Sequence, residues 1–143
     1  MARFDKKILQ TLRRAGWHPN RHTDTAAVAA QAAACGYVVG EKPAAFLREF
    51  DGLSLEFSER DFLFEFRVRT EYLTRERLAY IAGSIGEEGL EVGATPDVAL
   101  VVGESGRMYG ICHATGITCL LGGCADEGVE FVCRRGNPFK HLL

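Results

Sequence analysis

Five cysteines and four histidines are the residues of this 143-residue chain best suited to chemistry. Cys112, His113, Cys119, Cys124 and Cys133 crowd the C-terminal third, so metal binding is the first reaction class to weigh. A structural zinc site brings paired ligands two to four residues apart, and no pair of such pairs stands here. Cys112 and His113 are neighbours on an expected strand, which sends their side chains to opposite faces and keeps them from one ion. If Thr115-Gly116 is a two-residue loop, Cys112 and Cys119 stand opposite each other across a hairpin, close enough for half a site. The alternative is buried, reduced thiols. A cysteine nucleophile needs a base within reach, and His113 fails on the same geometry, while His18, His22 and His141 lie near the chain ends.

Acidic residues are plentiful, yet no carboxylate pair stands in an apolar setting that would separate its pKa values. Asp51, Glu87 and Glu88 read as turn or surface positions. The chain carries no P-loop, no dinucleotide fingerprint and no nucleophile elbow. The expectation is a protein without catalytic residues, metal or cofactor.

Net charge is -2, but it is unevenly placed. Arg3, Lys6, Lys7, Arg13, Arg14 and Arg21 make the start basic, Arg134, Arg135 and Lys140 the end, and the middle is acidic. An acidic centre repels phosphate backbones and steers basic partners inward, so a nucleic-acid role is not expected. The basic first helix lacks the aromatic and cationic interleaving of a base-stacking surface. No apolar run follows Arg3 as in a secretion signal, and Ala26 to Ala34 is far shorter than the roughly 20 residues of a membrane span. With an odd number of irregularly spaced cysteines, these features point to a cytoplasmic protein that does not enter a membrane.

At 47% hydrophobic and 25% charged, the chain can bury a core, and its length suits a single domain over 1–143. Phe4, Ile8, Leu9 and Leu12 recur at helical spacing up to Gly16. Thr23 or Asp24 can cap a second helix through the alanine run, stopped by Gly36, and Pro43 suits the first turn of a third, ending near Phe50. After Asp51-Gly52 the period becomes alternating. Leu53, Leu55 and Phe57 form one face of a strand, and Phe62, Phe64, Phe66 and Val68 one face of the next, with a hairpin around Ser58 to Asp61. Leu78, Ile81, Ala82 and Ile85 return to helical spacing before Gly86. Val98 to Val102, apolar on both faces, is a central strand. Turns at 103–106 and 114–116 lead into Met108 to His113 and Ile117 to Leu121, and a last helix from about Cys124 to Arg135 ends at Gly136-Asn137-Pro138. The fold class is α+β: N-terminal helices, then a mainly antiparallel sheet with helices packed against it.

Four local patterns, in order, resemble the third subfamily of the SUKH immunity-protein superfamily. Gly16-Trp17-His18-Pro19-Asn20-Arg21 is similar to its Trp, Pro, Gly, Arg opening, with Asn20 where glycine is usual. Phe50-Asp51-Gly52-Leu53 is similar to its Phe-Gly-Gly-Leu turn, with Asp51 replacing one glycine. Gly106-Arg107-Met108-Tyr109 resembles its Gly-Arg-hydrophobic-Tyr strand start, and Leu121-Gly122, a short helix and Gly136 resemble its ending. Asn and Asp tolerate left-handed turns better than other non-glycine residues, so both departures are mild. The resemblance implies a SUKH-like domain that neutralises a cognate bacterial protein toxin by binding it, with no cofactor. It implies structural roles for Trp17, Gly52, Gly106 and Tyr109. If the toxin is a basic nuclease, Glu87, Glu88, Glu91, Asp97 and Glu104, which border expected loops, are the expected contacts. A protein-binding adaptor on the same scaffold is the alternative, and a small thiol or zinc enzyme the third reading. Oligomeric state is left open.

Overall fold

The computed structural model describes residues 3–56, 63–95 and 97–135. Helix α1 (Lys6–Arg14) is opened by Asp5, whose Oδ1 accepts the Ile8 N–H at 3.0 Å, and buries Ile8 and Leu12. Helix α2 (Ala26–Ala34) is capped one residue beyond Asp24 and two beyond Thr23, the two caps expected for it. Its N-cap is Thr25, Asp24 accepts the Ala26 N–H, and Thr23 donates its hydroxyl to the Leu47 carbonyl. Helix α3 (Glu41–Phe50) holds Pro43 in its first turn and buries Phe46, Leu47 and Phe50.

The two departures from the family's glycines have different outcomes. Asn20 does adopt a left-handed φ of 65°. Asp51 is extended at φ -61°, and Gly52 takes the left-handed turn at φ 91°. Asp51 instead accepts the Val68 N–H at 3.1 Å, tying the α3 exit to the strand beyond; burial pushes its carboxyl above the usual range despite that bond.

Strands β1 (Leu53–Glu56) and β2 (Leu63–Phe66) pair antiparallel, with Leu53 opposite Phe66 and Leu55 opposite Phe64. The hairpin expected at Ser58 to Asp61, together with Phe57 and Phe62, lies outside the described residues, as does the stop at Gly136-Asn137-Pro138. A 3-10 helix, Thr70–Tyr72, precedes α4 (Arg75–Ile85), which Thr74 caps and Gly86 ends at φ 79°. Then come β3 (Gly89–Ala94), β4 (Val98–Gly103), β5 (Met108–Cys112), β6 (Thr118–Gly122) and α5 (Ala125–Arg135). All six strands form one antiparallel sheet in sequence order.

The sequence pattern did not resolve β3. Its alternation is only Leu90, Glu91 and Val92 before a bulge between Glu91 and Gly93, and glycines flank it. Gly93 is required there: a Cβ would meet the Glu65 carbonyl at 2.4 Å.

The sheet has helices on both faces. Leu90, Val92, Val98, Leu100, Val102, Met108 and Cys112 share the main core with α1, α2, α3 and α5. On the other face Ile81 and Ile85 of α4 cover Ala99, Val101 and Ile111. Every residue of β4 is therefore buried, which is why its sequence does not alternate.

Candidate functional site

The cysteines do not converge. Cys112 accepts no partner across the hairpin from Cys119, because the turn spans 113–116: the Cys112 N–H donates to Ile117 O, and Cys119 pairs with Gly110. Gly116, left-handed at φ 74°, closes this longer loop and shifts the register away from a half-site. Cys112 is 1% exposed, whereas His113, in the turn after β5, is exposed. A hydrogen bond from the Thr115 side chain, aided by the 114 and 115 amides, lowers the Cys112 pKa against the opposing effect of burial. Burial pushes Cys133 up to about 12, with Asp5 and Glu130 adding to it, and burial also raises Cys119. Among the described residues no histidine bonds a cysteine, and no group of three His, Cys, Asp or Glu side chains could hold a metal ion.

The five acidic residues separate into two kinds. Glu87 accepts the Ser105 N–H at 2.8 Å, the Ser105 hydroxyl at 2.7 Å and the Tyr109 hydroxyl at 2.7 Å. Burial alone would raise its pKa, but these three donors outweigh it and hold the carboxyl below the usual range. Glu104 accepts the Tyr37 hydroxyl and the Gly40 N–H, and desolvation, then that carboxylate, pushes the Tyr37 pKa up. Glu91 pairs with Arg77 at 2.9 Å. Glu87 and Glu104 fasten the protein's own loops, and Glu91 ties β3 to α4. Glu88 and Asp97 are exposed and lie at opposite ends of the β3–β4 hairpin: the Glu104 N–H donates to the Glu88 carbonyl at one end, the His113 N–H to the Asp97 carbonyl at the other. Glu87, Glu88 and Glu104 are brought together; Asp97 is not with them. Glu91 stands within β3 rather than beside a loop.

The motif residues have structural surroundings. Trp17 is 8% exposed, sits edge-on to Phe4 and donates its indole N–H to Glu49 at 3.0 Å. Glu49 also holds Arg3, which in turn pairs with Asp126 at the start of α5. Gly106 turns left-handed at φ 93° and Tyr109 braces Glu87 from the sheet.

A cleft that no sequence motif marks opens beside α4. It lies where α4 stops covering the sheet, with Ile81, Leu73, Val68 and Ala94 among its lining and Arg67, Arg69, Arg77 and Tyr72 around it. Its volume is about 60 Å³, against the roughly 300–1,000 Å³ of small-molecule sites. In the sequence Arg67 and Arg69 alternate with Phe66 and Val68, a signal that the exposed side of this segment carries positive charge.

The fold is thus a helix-covered antiparallel sheet in which Glu87 and Glu104 fasten neighbouring turns. The family model of the SUKH-3 immunity proteins matches residues 4–134, and the chain belongs to that family. It is an immunity protein, and a toxin is its partner class. No curated protein and no solved structure matches the chain. No helix among the described residues is long and apolar enough to cross a membrane.

Proposed function

We propose that this chain neutralises one cognate protein toxin in the cytoplasm by stoichiometric occupancy of its surface, without chemistry of its own. The family match over residues 4–134 carries the reading. It is supported by a buried Cys112 and by polar side chains spent on internal fastening. Function then resides in surface residues laid over a common scaffold.

A basic nuclease is the toxin class we propose, because the acidic residues of the middle of the chain would steer its approach. Of the five carboxylates, Glu88 and Asp97 are the exposed ones. Glu87 and Glu104 would act through the loops they hold, and Glu91 through its tie to α4. Co-expression with the toxin encoded beside this chain tests the proposal. The expected result is restored growth and a one-to-one complex, with Glu88→Lys and Asp97→Lys slowing association several-fold at low salt. Growth arrest despite abundant immunity protein would refute neutralisation; unaltered association of both variants would refute the acidic steering.

A further inference from the structure

The described large apolar side chains that remain exposed are few: Val38, Tyr72, Tyr80, Ile117 and Leu120. Val38 lies in the connection from α2 to α3. The other four lie on α4 or on segments near it. Tyr72 and Arg77 line the same cleft, the Arg77 guanidinium sits 5.1 Å from the Tyr80 ring centroid, and a Cβ on Gly116 would meet the Tyr80 hydroxyl at 3.4 Å. Ile117 follows Gly116, and Leu120 is paired with Tyr109, which packs against the cluster beneath α4.

Tyrosine and arginine are the residue types that dominate binding energy when they cluster around an apolar floor. From their fractional exposure, 62% for Tyr72, 43% for Tyr80, 45% for Ile117 and 54% for Leu120, these side chains offer on the order of 400 Å². A stable interface needs about 800 Å² per partner, so the patch supplies a centre that a polar rim must complete. That composition suits a complex between two independently folded proteins better than a permanent dimer of this chain.

The cleft adds charge. Arg77 is held by Glu91 at 2.9 Å and Arg67 leans on Glu65 at 3.6 Å, while the exposed Arg69 side chain has no partner among the described residues. The two carboxylates present are thus matched, and one guanidinium is left at the rim. A cleft of about 60 Å³ is less than half of the 150 Å³ cavity that accommodates benzene, so it takes a single short side chain.

From this geometry we infer that the α4 face is where the toxin docks, with a carboxylate side chain of the toxin entering the cleft against Arg69 and Arg67. Tyr72 borders the cleft, and Tyr80, Ile117 and Leu120 continue the exposed apolar surface from there across α4 towards β6. The inference rests on the immunity reading above and adds the surface and the chemistry of the anchor.

Two measurements test it. In the first, the full chain and Arg69→Glu, Tyr80→Ala and Leu120→Ser variants are titrated against the toxin encoded beside it. Each variant changes an exposed side chain, and circular dichroism checks its fold. The expected result is binding weakened tenfold or more by Arg69→Glu and by Tyr80→Ala, with growth rescue lost in parallel. If the parent chain binds and rescues but these variants do so equally well, the docking face is overturned and the immunity reading stands. If the parent neither binds nor rescues, both fall. In the second, the isotope-labelled chain is titrated with hexaglutamate and with hexalysine peptides and followed by amide NMR. Hexaglutamate is expected to shift residues 65–81, and Arg69→Glu to abolish this. Shifts confined to other surfaces, or none, would overturn the carboxylate anchor without touching the immunity reading.

Discussion

Replacing Gly122 by alanine measures how closely α5 rests on the end of β6. A Cβ at Gly122 would stand 2.4 Å from the Gly128 amide nitrogen and 2.7 Å from the Glu127 carbonyl carbon. Both are helix backbone, so no rotamer change relieves the contact. Normal carbon contacts lie at about 3.5–4.0 Å, and the N-terminal half of α5 must rise by roughly 1 Å. That helix buries Val129 and Val132 completely. A gap of about 0.5–1 Å forfeits roughly a quarter to a half of a side chain's contact energy. With about 1.5–3 kcal/mol for burying each valine, the loss is about 1–3 kcal/mol, which agrees with the usual cost of overpacking. A loss of about 2 kcal/mol lowers the folding constant roughly thirtyfold and the Tm by roughly 4–8 °C. Gly123→Ala is the control. Its Cβ would lie 3.5 Å from the Glu127 carboxylate, an ordinary contact, and neither glycine has a positive φ. It should change stability by less than about 0.5 kcal/mol. Urea unfolding followed by the fluorescence of Trp17, the single tryptophan, and by circular dichroism reads both. Equal midpoints for Gly122→Ala and Gly123→Ala would refute the close-packing argument.

Gly83 faces open space within α4, so Gly83→Ala should stabilise the protein by about 0.5–1 kcal/mol, seen as a higher urea midpoint. Glu87→Ala should cost about 1 kcal/mol at pH 7, because three donors lose a charged acceptor that is only half-buried. The folded Glu87 pKa is depressed, so this contribution is present above the unfolded pKa and lost as pH falls through the folded value. Wild type and variant should therefore converge below about pH 4; a constant difference down to pH 2 would count against the assignment. A thiol reagent at pH 8 should modify exposed Cys124 first and Cys112 and Cys133 slowest, since the latter two are buried or held protonated. Rapid modification of Cys112, mapped by mass spectrometry, would revive a thiol-enzyme reading.

Much of the architecture was legible because local periodicity reports which face an element buries. The stripe Ile8 and Leu12, the alternation Leu53, Leu55 against Phe64, Phe66, and the uniformly apolar 98–102 all appear where the pattern places them. Punctuation was legible too, since Gly52, Gly86 and Gly106 stand at left-handed positions that few other residues accept. β3 was not legible, because its glycines answer to the approach of β2 and α4 across the sheet rather than to neighbours in sequence.

The candidate site follows the same division. That the chain has a core, an acidic middle and no paired metal ligands was determined by its residues, since composition and spacing carry those properties in any fold. Which carboxylates are free was decided by tertiary structure alone: Glu87 meets Ser105 and Tyr109, and Glu104 meets Tyr37, only after the loops come together. The arginine cleft arises in the same way, from 65–73, α4 and β3 meeting at the border of a helix-covered face. Hydrophobic pattern acts between residues a few positions apart, whereas the charge of a surface depends on partners brought from distant parts of the chain.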